Sequence, residues 1–302
     1  MIKREKYKQK DYGLSRQNEP SNDLILTGNV REYPDMFYAY KKFSEYFNLS
    51  QDSFFLANGC ENAMKNVLLA LKPKNMVWVT PTWRMPEVYS EALGFKLITK
   101  SFVYNKEKNF FELPNDFYDT KADILYDNAG NTSCLTYIWN YTNLNKTQTK
   151  YNIIDLTYRN VEFIKYIVPI LRENPKNIII GSFDKMYGCG LRLGFAIFPK
   201  ELEEKMALQR EQYINVLAYQ WLIETNFKNN ESKYCELLQK IIGCENCIND
   251  NFITIKGNIQ TTLPCYHFVV SGEEFTRFGI PNNESEFNAL KLILWDYLNG
   301  RK

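Results

Sequence analysis

Hydrophobic residues recur in two patterns along the first two-thirds of the chain, one typical of helices and one typical of buried strands. Apolar side chains lie on one predicted helix face near the start, at Met36, Phe37, Tyr40, Phe43 and Phe47. Apolar runs typical of buried strands follow, at Ser53–Leu56, Met76–Thr80, Phe95–Lys100, Ala122–Tyr126, Asn152–Leu156, Asn177–Ser182 and Leu191–Phe198. Helical patterns at Cys60–Leu71 and Trp83–Leu93 separate some of these runs, and Gly94 suits the end of the second helix. The alternation predicts an α/β domain with a mostly parallel, buried sheet.

The pattern changes after Pro199. The elements predicted there are a long helix, a second helix, three short strands and a final helix, at Glu201–Glu224, Glu231–Ile242, Phe252–Ile255, His267–Val270, Phe275–Phe278 and Glu284–Tyr297. This order is typical of a small α+β domain. Residues 1–22 are polar and lack apolar periodicity, so we expect an N-terminal arm there. We predict a large domain over residues 23–199 and a small C-terminal domain over residues 200–302.

Composition narrows the class of protein. The 302 residues are 45% hydrophobic and 24% charged, which excludes a disordered tail or a collagen-like repeat. A net charge of +2, without a Lys/Arg block beyond the arm, disfavours a nucleic-acid-binding protein. No apolar run approaches the roughly 18 residues of a membrane span, and the first residues lack the apolar core of a secretory signal. The seven scattered cysteines are then expected to be reduced thiols, which indicates the cytoplasm.

Metal chemistry and histidine-based catalysis are both disfavoured. Cys244 and Cys247 form one CxxC pair, but a structural zinc site usually needs four ligands and there is no second pair. His267 is the only histidine, which argues against a Ser-His-Asp or Cys-His mechanism. We predict no metal site.

Chemically useful residues cluster just after the predicted strands, where open α/β folds bind their ligands. The segment Asn58–Ala63 combines a glycine turn with a helix start, which is a generic phosphate cradle. The other strand ends supply a flat aromatic, an amide, a carboxylate, a phenol, a lysine and an arginine, at Trp83, Asn131, Asp155, Tyr158, Lys185 and Arg192. Together these groups can hold pyridoxal phosphate, since a lysine amine forms the Schiff base and a carboxylate keeps the pyridine nitrogen protonated.

Six motifs, in the right order, resemble those of the fold-type I pyridoxal-phosphate enzymes, and among them the class I/II aminotransferases of the histidinol-phosphate aminotransferase group. The family motifs are YPD, NGSDEA, PTY or PSW, NPNNPTG, DEAY and SFSK…GLRLG. In the same order, they are resembled by Tyr33–Asp35, Asn58–Ala63, Pro81–Trp83, Asn128–Cys134, Asp155–Tyr158, and Ser182–Lys185 with Gly190–Gly194. The resemblance covers residues 30–200 well and the C-terminal part weakly. It implies a large cofactor-binding domain on a mostly parallel sheet and a small α+β domain.

The resemblance implies a role for each matched residue near the cofactor ring. Lys185 would form the internal aldimine and move the substrate proton, and Asp155 would pair with the pyridine nitrogen. Tyr158 and Asn131 would hydrogen-bond the ring oxygen, and Trp83 would stack on the ring face. Lys185, Asp155 and Tyr158 are therefore the catalytic residues that the resemblance implies.

The cofactor phosphate would be held by a second set of residues. The resemblance assigns it to a glycine turn, two backbone N–H groups, a hydroxyl and a guanidinium, at Gly59, Cys60, Glu61, Ser182 and Arg192. Tyr33 would reach the phosphate from the neighbouring subunit of a homodimer.

Two further residues would border the substrate. Arg277 resembles the C-terminal arginine that binds an acidic group, for which a planar guanidinium is suited. Asn18 begins an Asn-Glu-Pro segment similar to one that borders the family's substrate. The implied partners are a small amino donor and an oxo acceptor.

The sequence also departs from the family pattern. Lys185 and Arg192 are one residue closer together than usual, and Asp184 replaces a serine beside the lysine, where it could perturb the amine. Both prolines of the Asn-rich loop are missing.

The expected activity is therefore that of a cytoplasmic aminotransferase, with two alternatives. A decarboxylase of a phosphorylated amino acid, similar to the threonine-phosphate decarboxylases, would use the same cofactor. A non-catalytic relative would keep the fold alone, although retention of both Lys185 and Asp155 argues against that.

Overall fold

The computed structural model describes residues 35–107, 110–129, 139–187, 190–210, 214–227, 233–242 and 252–300. The chain divides into two compact units, each made of two segments. The first unit comprises Met1–Lys72 and Asn160–Asn229, and the second comprises Pro73–Arg159 and Asn230–Lys302. The domain boundary predicted at residue 199 stays a prediction. Several residues singled out above lie outside the described residues: Asn18, Tyr33, Asn131, Cys244 and Cys247.

Helices and strands alternate along the described residues much as the sequence pattern predicts. The helices are α1 (Met36–Phe47), α2 (Cys60–Leu71), α3 (Met85–Leu93), α4 (Val161–Arg172), α5 (Asp184–Tyr187), α6 (Glu203–Ala207), α7 (Val216–Glu224), α8 (Lys233–Ile242) and α9 (Glu284–Leu298). The strands are β1 (Phe54–Asn58), β2 (Asn75–Thr80), β3 (Lys96–Ser101), β4 (Val103–Asn105), β5 (Phe110–Glu112), β6 (Ile124–Asp127), β7 (Tyr151–Asp155), β8 (Asn177–Ser182), β9 (Leu193–Ile197), β10 (Phe252–Lys256), β11 (Cys265–Val270) and β12 (Glu273–Gly279).

A seven-stranded, mostly parallel sheet flanked by helices confirms the predicted fold class. The first unit contributes strands in the order β1-β9-β8, in which β9 runs antiparallel to both neighbours. The second unit contributes β7-β6-β2-β3, and all of these neighbours pair in parallel. A second, antiparallel sheet in that unit has the order β10-β12-β11. The hairpin β4–β5, also in the second unit, is absent from the sequence prediction.

Aromatic rings fill the core of the first unit. The ring centroid of Phe43 on α1 lies 4.6 Å from that of Phe54 on β1 and 5.2 Å from that of Phe195 on β9. Phe183, directly after β8, lies 5.4 Å from Phe195. All four side chains are fully buried, and each contributes about 1.5–3 kcal/mol of burial free energy. This packing fixes the strand ends from which the candidate site residues follow.

The long helix predicted over Glu201–Glu224 is wrong. The segment instead contains a 3₁₀ turn at Lys200–Leu202, then α6, and then α7 as a separate helix. The Asn215 side chain caps α7 by accepting the Leu217 N–H at 2.8 Å. The Arg210 guanidinium is held by the carbonyls of Gln51 and Phe54 at 2.9 and 3.0 Å. One continuous helix is therefore not formed, because Asn215 caps the start of α7 and a capping residue cannot lie inside a helix.

Candidate active site

The start of α2 forms an anion-binding corner in the first unit. Gly59 precedes the helix with φ +88°, a conformation that favours glycine, and it gives the first turn no side-chain cap. The backbone N–H groups of a helix start and the positive end of its dipole attract anions. Asn58, just before, accepts the Asn215 N–H with its Oδ1 atom at 2.8 Å, which ties the corner to the start of α7.

The Arg192 guanidinium completes this corner, which we call the Gly59 cradle. A Cβ atom at Gly59 would lie 3.1 Å from Arg192 Cζ and 3.2 Å from its Nη2, so the guanidinium lies closely against the glycine. Arg192 Nη2 also lies 4.0 Å from Glu61 Oε2, with both side chains about half exposed, and such a pair contributes little stability. A guanidinium fork beside a helix start suits the geometry and charge of a phosphate group. The cradle therefore fits the phosphate of pyridoxal phosphate.

The backbone of β9 packs directly on the Gly59 cradle. A Cβ atom at Gly194 would lie 2.6 Å from the Cys60 nitrogen and still closer to the Gly59 carbonyl. Gly194 thus permits the strand to approach the first turn of α2, and Cys60 itself is buried. The close packing of β9 against α2 therefore explains the glycine at the end of the Gly-Leu-Arg-Leu-Gly segment, which resembles the family motif.

Asp184 holds the turn that presents Lys185. Its Oδ1 atom accepts the Leu193 N–H at 3.0 Å, and its own N–H donates to Ser182 Oγ at 3.1 Å. The Ser182 hydroxyl donates in turn to the Leu193 carbonyl at 3.1 Å. Lys185 is exposed on α5, while Asp184 is buried. The residue that replaces the family's serine therefore joins β8 to β9, and the phosphate contact implied for Ser182 stays a prediction.

A buried carboxylate ends β7 in the second unit. Asp155 is 6% exposed, and its Oδ2 atom accepts the Tyr126 hydroxyl proton at 2.7 Å. Its Oδ1 atom accepts the Thr157 N–H at 2.9 Å, so both oxygens are oriented. The hydroxyl of Thr157 is buried and has no hydrogen-bond partner within the described residues. A carboxylate held in one orientation, next to a hydroxyl without a partner, can bind a polar ring that carries a protonated nitrogen.

Tyr158 and Arg277 both contact the same aromatic residue, Phe252 on β10. The Tyr158 and Phe252 ring centroids are 5.0 Å apart, and Arg277 Cζ lies 4.4 Å from the Phe252 centroid. Arg277 Cζ also lies 5.2 Å from the Tyr266 ring. The structure therefore places the predicted substrate arginine one aromatic ring away from a predicted catalytic residue. The motifs that follow the strands of the parallel sheet do not predict a role for Phe252, because it lies far from them in sequence.

Trp83 follows β2 and is half-buried, and polar contacts hold the strand ends of this unit. Asn128 donates to Thr82 Oγ1 at 3.0 Å, joining the ends of β2 and β6. Arg159, the residue after Tyr158, donates from Nε to the Ala129 carbonyl at 3.0 Å, and its Nη2 binds the same oxygen. No sequence pattern predicts this role for Arg159, since a single arginine after a motif is not distinctive.

A buried carboxyl group underlies the same strand ends. Burial raises the pKa of Asp127, although Trp139, Ala129 and Tyr118 all donate hydrogen bonds to the carboxyl. No sequence pattern predicts this group either. Within the described ranges, no cluster of three His, Cys, Asp or Glu side chains could hold a metal ion, and no helix there is long and apolar enough to cross a membrane.

Replacement of Arg192 by alanine is expected to weaken pyridoxal-phosphate binding by about ten- to hundredfold. The reason is that a charged hydrogen bond contributes about 1.5–3 kcal/mol. Binding is measured by titration of the chain with the cofactor. Arg172→Ala, on the exposed end of α4, is the matched control. Equal affinity of R192A and wild type, or an equal loss of affinity for phosphate-free pyridoxal, would contradict the assignment.

The fold described above is similar to that of solved structures of fold-type I pyridoxal-phosphate aminotransferases. The resemblance inferred from the motifs is thereby confirmed for the fold. Three of the solved structures that it resembles come from enzymes that differ in substrate or reaction.

The histidinol-phosphate aminotransferase from Clostridium acetobutylicum has a TM-score of 0.66 and 16% sequence identity, over 90% of this chain and 92% of that chain. The aspartate aminotransferase from Thermotoga maritima has a TM-score of 0.64 and 16% identity, over 90% and 85%. The L-threonine-O-3-phosphate decarboxylase from Porphyromonas gingivalis has a TM-score of 0.62 and 13% identity, over 86% and 88%. No family model and no curated protein matches the sequence. The likeness at this identity is one of fold, and the reaction is a separate question.

Proposed function

We propose that this chain is a pyridoxal-phosphate-dependent aminotransferase, which moves an amino group between an amino acid or phosphorylated amine and an oxo acceptor. The observation that carries the proposal is the Gly59 cradle, where the Arg192 guanidinium lies against the start of α2. A phosphate group is the ligand that such a corner favours. The motif order around Lys185 and Asp155 supports a phosphate-bearing pyridine cofactor rather than another phosphate ester.

Pyridoxal phosphate, when bound, supplies an electron-withdrawing ring that stabilises negative charge on a substrate carbon. Asp155 would hold a proton at the pyridine nitrogen, and its two anchored oxygens keep the carboxylate in one orientation. Lys185 Nζ would accept the α-proton of the amino donor and deliver it again later in the reaction. Trp83, Tyr158 and Asn131 would orient the ring.

The remaining assignments concern phosphate and substrate. The N–H groups of Cys60 and Glu61, together with Ser182 and Arg192, would bind the phosphate. Arg277 would bind an acidic group of the substrate, because the rings of Phe252 and Tyr266 contact its guanidinium and restrict its orientation. The homodimer, with Tyr33 and Asn18 beside the site, and the cytoplasmic location remain predictions.

A second candidate is decarboxylation of a phosphorylated amino acid. The structure of a decarboxylase resembles this chain at nearly the same TM-score as the aminotransferases do, and this similarity supports the second candidate. The two reactions differ in which bond of the substrate carbon breaks. That bond is selected by where Arg277 and its neighbours hold the substrate's anionic group.

Visible absorption of the purified chain tests both candidates. Spectra are recorded before and after addition of pyridoxal phosphate, and then with glutamate, other amino acids and phosphorylated amines. We expect a cofactor-dependent band that one donor converts to the pyridoxamine form, with release of the matching oxo acid. Release of carbon dioxide without an oxo acid would assign the decarboxylase. No band after addition of the cofactor would overturn both candidates and leave a non-catalytic relative.

A further inference from the structure

The antiparallel sheet of the second unit holds a group of reactive side chains that the proposed reaction does not use. Cys265 and His267 are two residues apart on β11, so they share one face of the strand. Cys265 Sγ lies 3.3 Å from His267 Nε2. Tyr266 alternates to the opposite face, where it contacts Arg277. The thiol and imidazole are therefore separate from the predicted substrate arginine.

Thr276 determines which nitrogen of His267 carries the proton. Its Oγ1 donates to the Gly257 carbonyl at 2.7 Å and accepts the Ile259 N–H at 2.9 Å. Its remaining lone pair faces His267 Nδ1 at 3.0 Å, and a hydroxyl whose proton is already donated can only accept there. Nδ1 is thus the protonated nitrogen, and Nε2 presents a lone pair to the Cys265 thiol.

The geometry has the three parts of an activated nucleophile. A thiol lies within hydrogen-bonding distance of a base, and a third group orients that base. Thr276 is fully buried in β12 opposite His267, so the orienting group is rigid. Cys265 is half-buried and His267 is exposed, on the edge strand of this sheet, so small reagents reach the sulfur.

We propose that Cys265 is a nucleophilic thiol that reacts with small hydroperoxides. His267 Nε2 takes the thiol proton as the sulfur attacks one peroxide oxygen. The S–O bond forms, the O–O bond breaks, and the leaving oxygen takes the proton from His267. Sulfur is oxidised by two electrons to a sulfenic acid, and the peroxide is reduced to water or an alcohol. The thiol is a modification site because a base lies within hydrogen-bonding distance of the sulfur and small reagents reach it.

Site-resolved labelling tests the proposal on the full chain. The protein is treated with limiting hydrogen peroxide in the presence of dimedone, which traps sulfenic acids, and each cysteine is quantified by mass spectrometry. Cys235 on α8 is a matched internal control, because it is also half-buried. We expect labelling of Cys265 to be at least about tenfold faster, since a positioned base contributes about that or more. His267→Gln should lower the Cys265 rate to that of Cys235, whereas Thr276→Ser should keep it high.

Equal labelling of Cys265 and Cys235 in the wild type would overturn the proposal, and so would an unchanged Cys265 rate in H267Q. Faster labelling of Cys235 in a variant would report unfolding of that variant. In that case the wild type is treated with diethyl pyrocarbonate, which acylates the chain's single histidine, and the labelling rate is measured only on protein whose mass spectrum shows an acylated His267 and an unmodified Cys265. Slower labelling of Cys265, reversed by hydroxylamine, supports the proposal, and an unchanged rate overturns it. None of these outcomes depends on pyridoxal phosphate.

Discussion

Replacement of Lys185 by alanine is expected to abolish covalent retention of pyridoxal phosphate. The same change should lower transamination by about 10²- to 10⁴-fold, the range for loss of a positioned proton-transfer group. Lys185 is exposed on the short helix α5, so its removal leaves no cavity and the fold should persist. The measurements are the mass of the borohydride-reduced protein and the visible absorption with cofactor added.

Lys205→Ala is the matched control for this prediction. Lys205 lies on α6 of the same unit and is likewise exposed, so K205A should retain the cofactor adduct and the activity. A K185A protein that still carries one cofactor per chain after reduction would show that another amine binds it. Loss of the adduct in both variants would point to a general effect on folding, which thermal unfolding of each variant would detect.

The sequence pattern predicts most of the sheet well because its strands other than β3 are largely buried on both faces. Every residue of β8 and β9 is buried, so the strands stand out as apolar runs without needing any partner. Polar motifs such as Asn58–Ala63 then mark the strand ends, because strand ends are where buried apolar runs must stop. Fold class and the positions of Gly59, Asp155 and Lys185 follow from that logic.

The sequence-based predictions fail where contacts between residues far apart in sequence determine the local structure. The break between α6 and α7 depends on Arg210, which reaches carbonyls more than 150 residues away in sequence. Helix periodicity across Glu201–Glu224 carries no information about those carbonyls. In the same way, the hydroxyl that anchors Asp155 comes from Tyr126, on the neighbouring parallel strand, and only the strand register identifies it.

Asp184 shows that the role of a residue beside a motif is also difficult to predict from sequence. Its position beside Lys185 suggests an electrostatic effect on the amine. The structure shows a different role, because the carboxylate accepts the Leu193 N–H and stabilises the connection between β8 and β9. An acidic residue beside a reactive lysine is thus ambiguous in sequence, because the backbone N–H groups that compete for the carboxylate belong to a strand nine residues later.

Replacement of Gly194 by alanine is expected to have the largest effect on stability. The added Cβ would lie 2.6 Å from the Cys60 nitrogen, and the atoms it meets are backbone, which cannot rotate away. Forcing one methyl group into such packing costs about 1–3 kcal/mol or more in the free energy of unfolding. Urea denaturation followed by circular dichroism measures this change. Gly279→Ala is the control, because a Cβ there meets no atom within 4 Å.

The same substitution also distinguishes a cofactor cradle from a purely structural glycine contact. If β9 moves away from α2 to relieve the clash, the first-turn N–H groups of Cys60 and Glu61 shift relative to Arg192, and the three no longer converge on one anion. G194A should therefore bind pyridoxal phosphate more weakly at temperatures where it is still fully folded, while G279A binds normally. Full cofactor affinity in a folded but destabilised G194A would separate the two roles and place the phosphate elsewhere in the first unit.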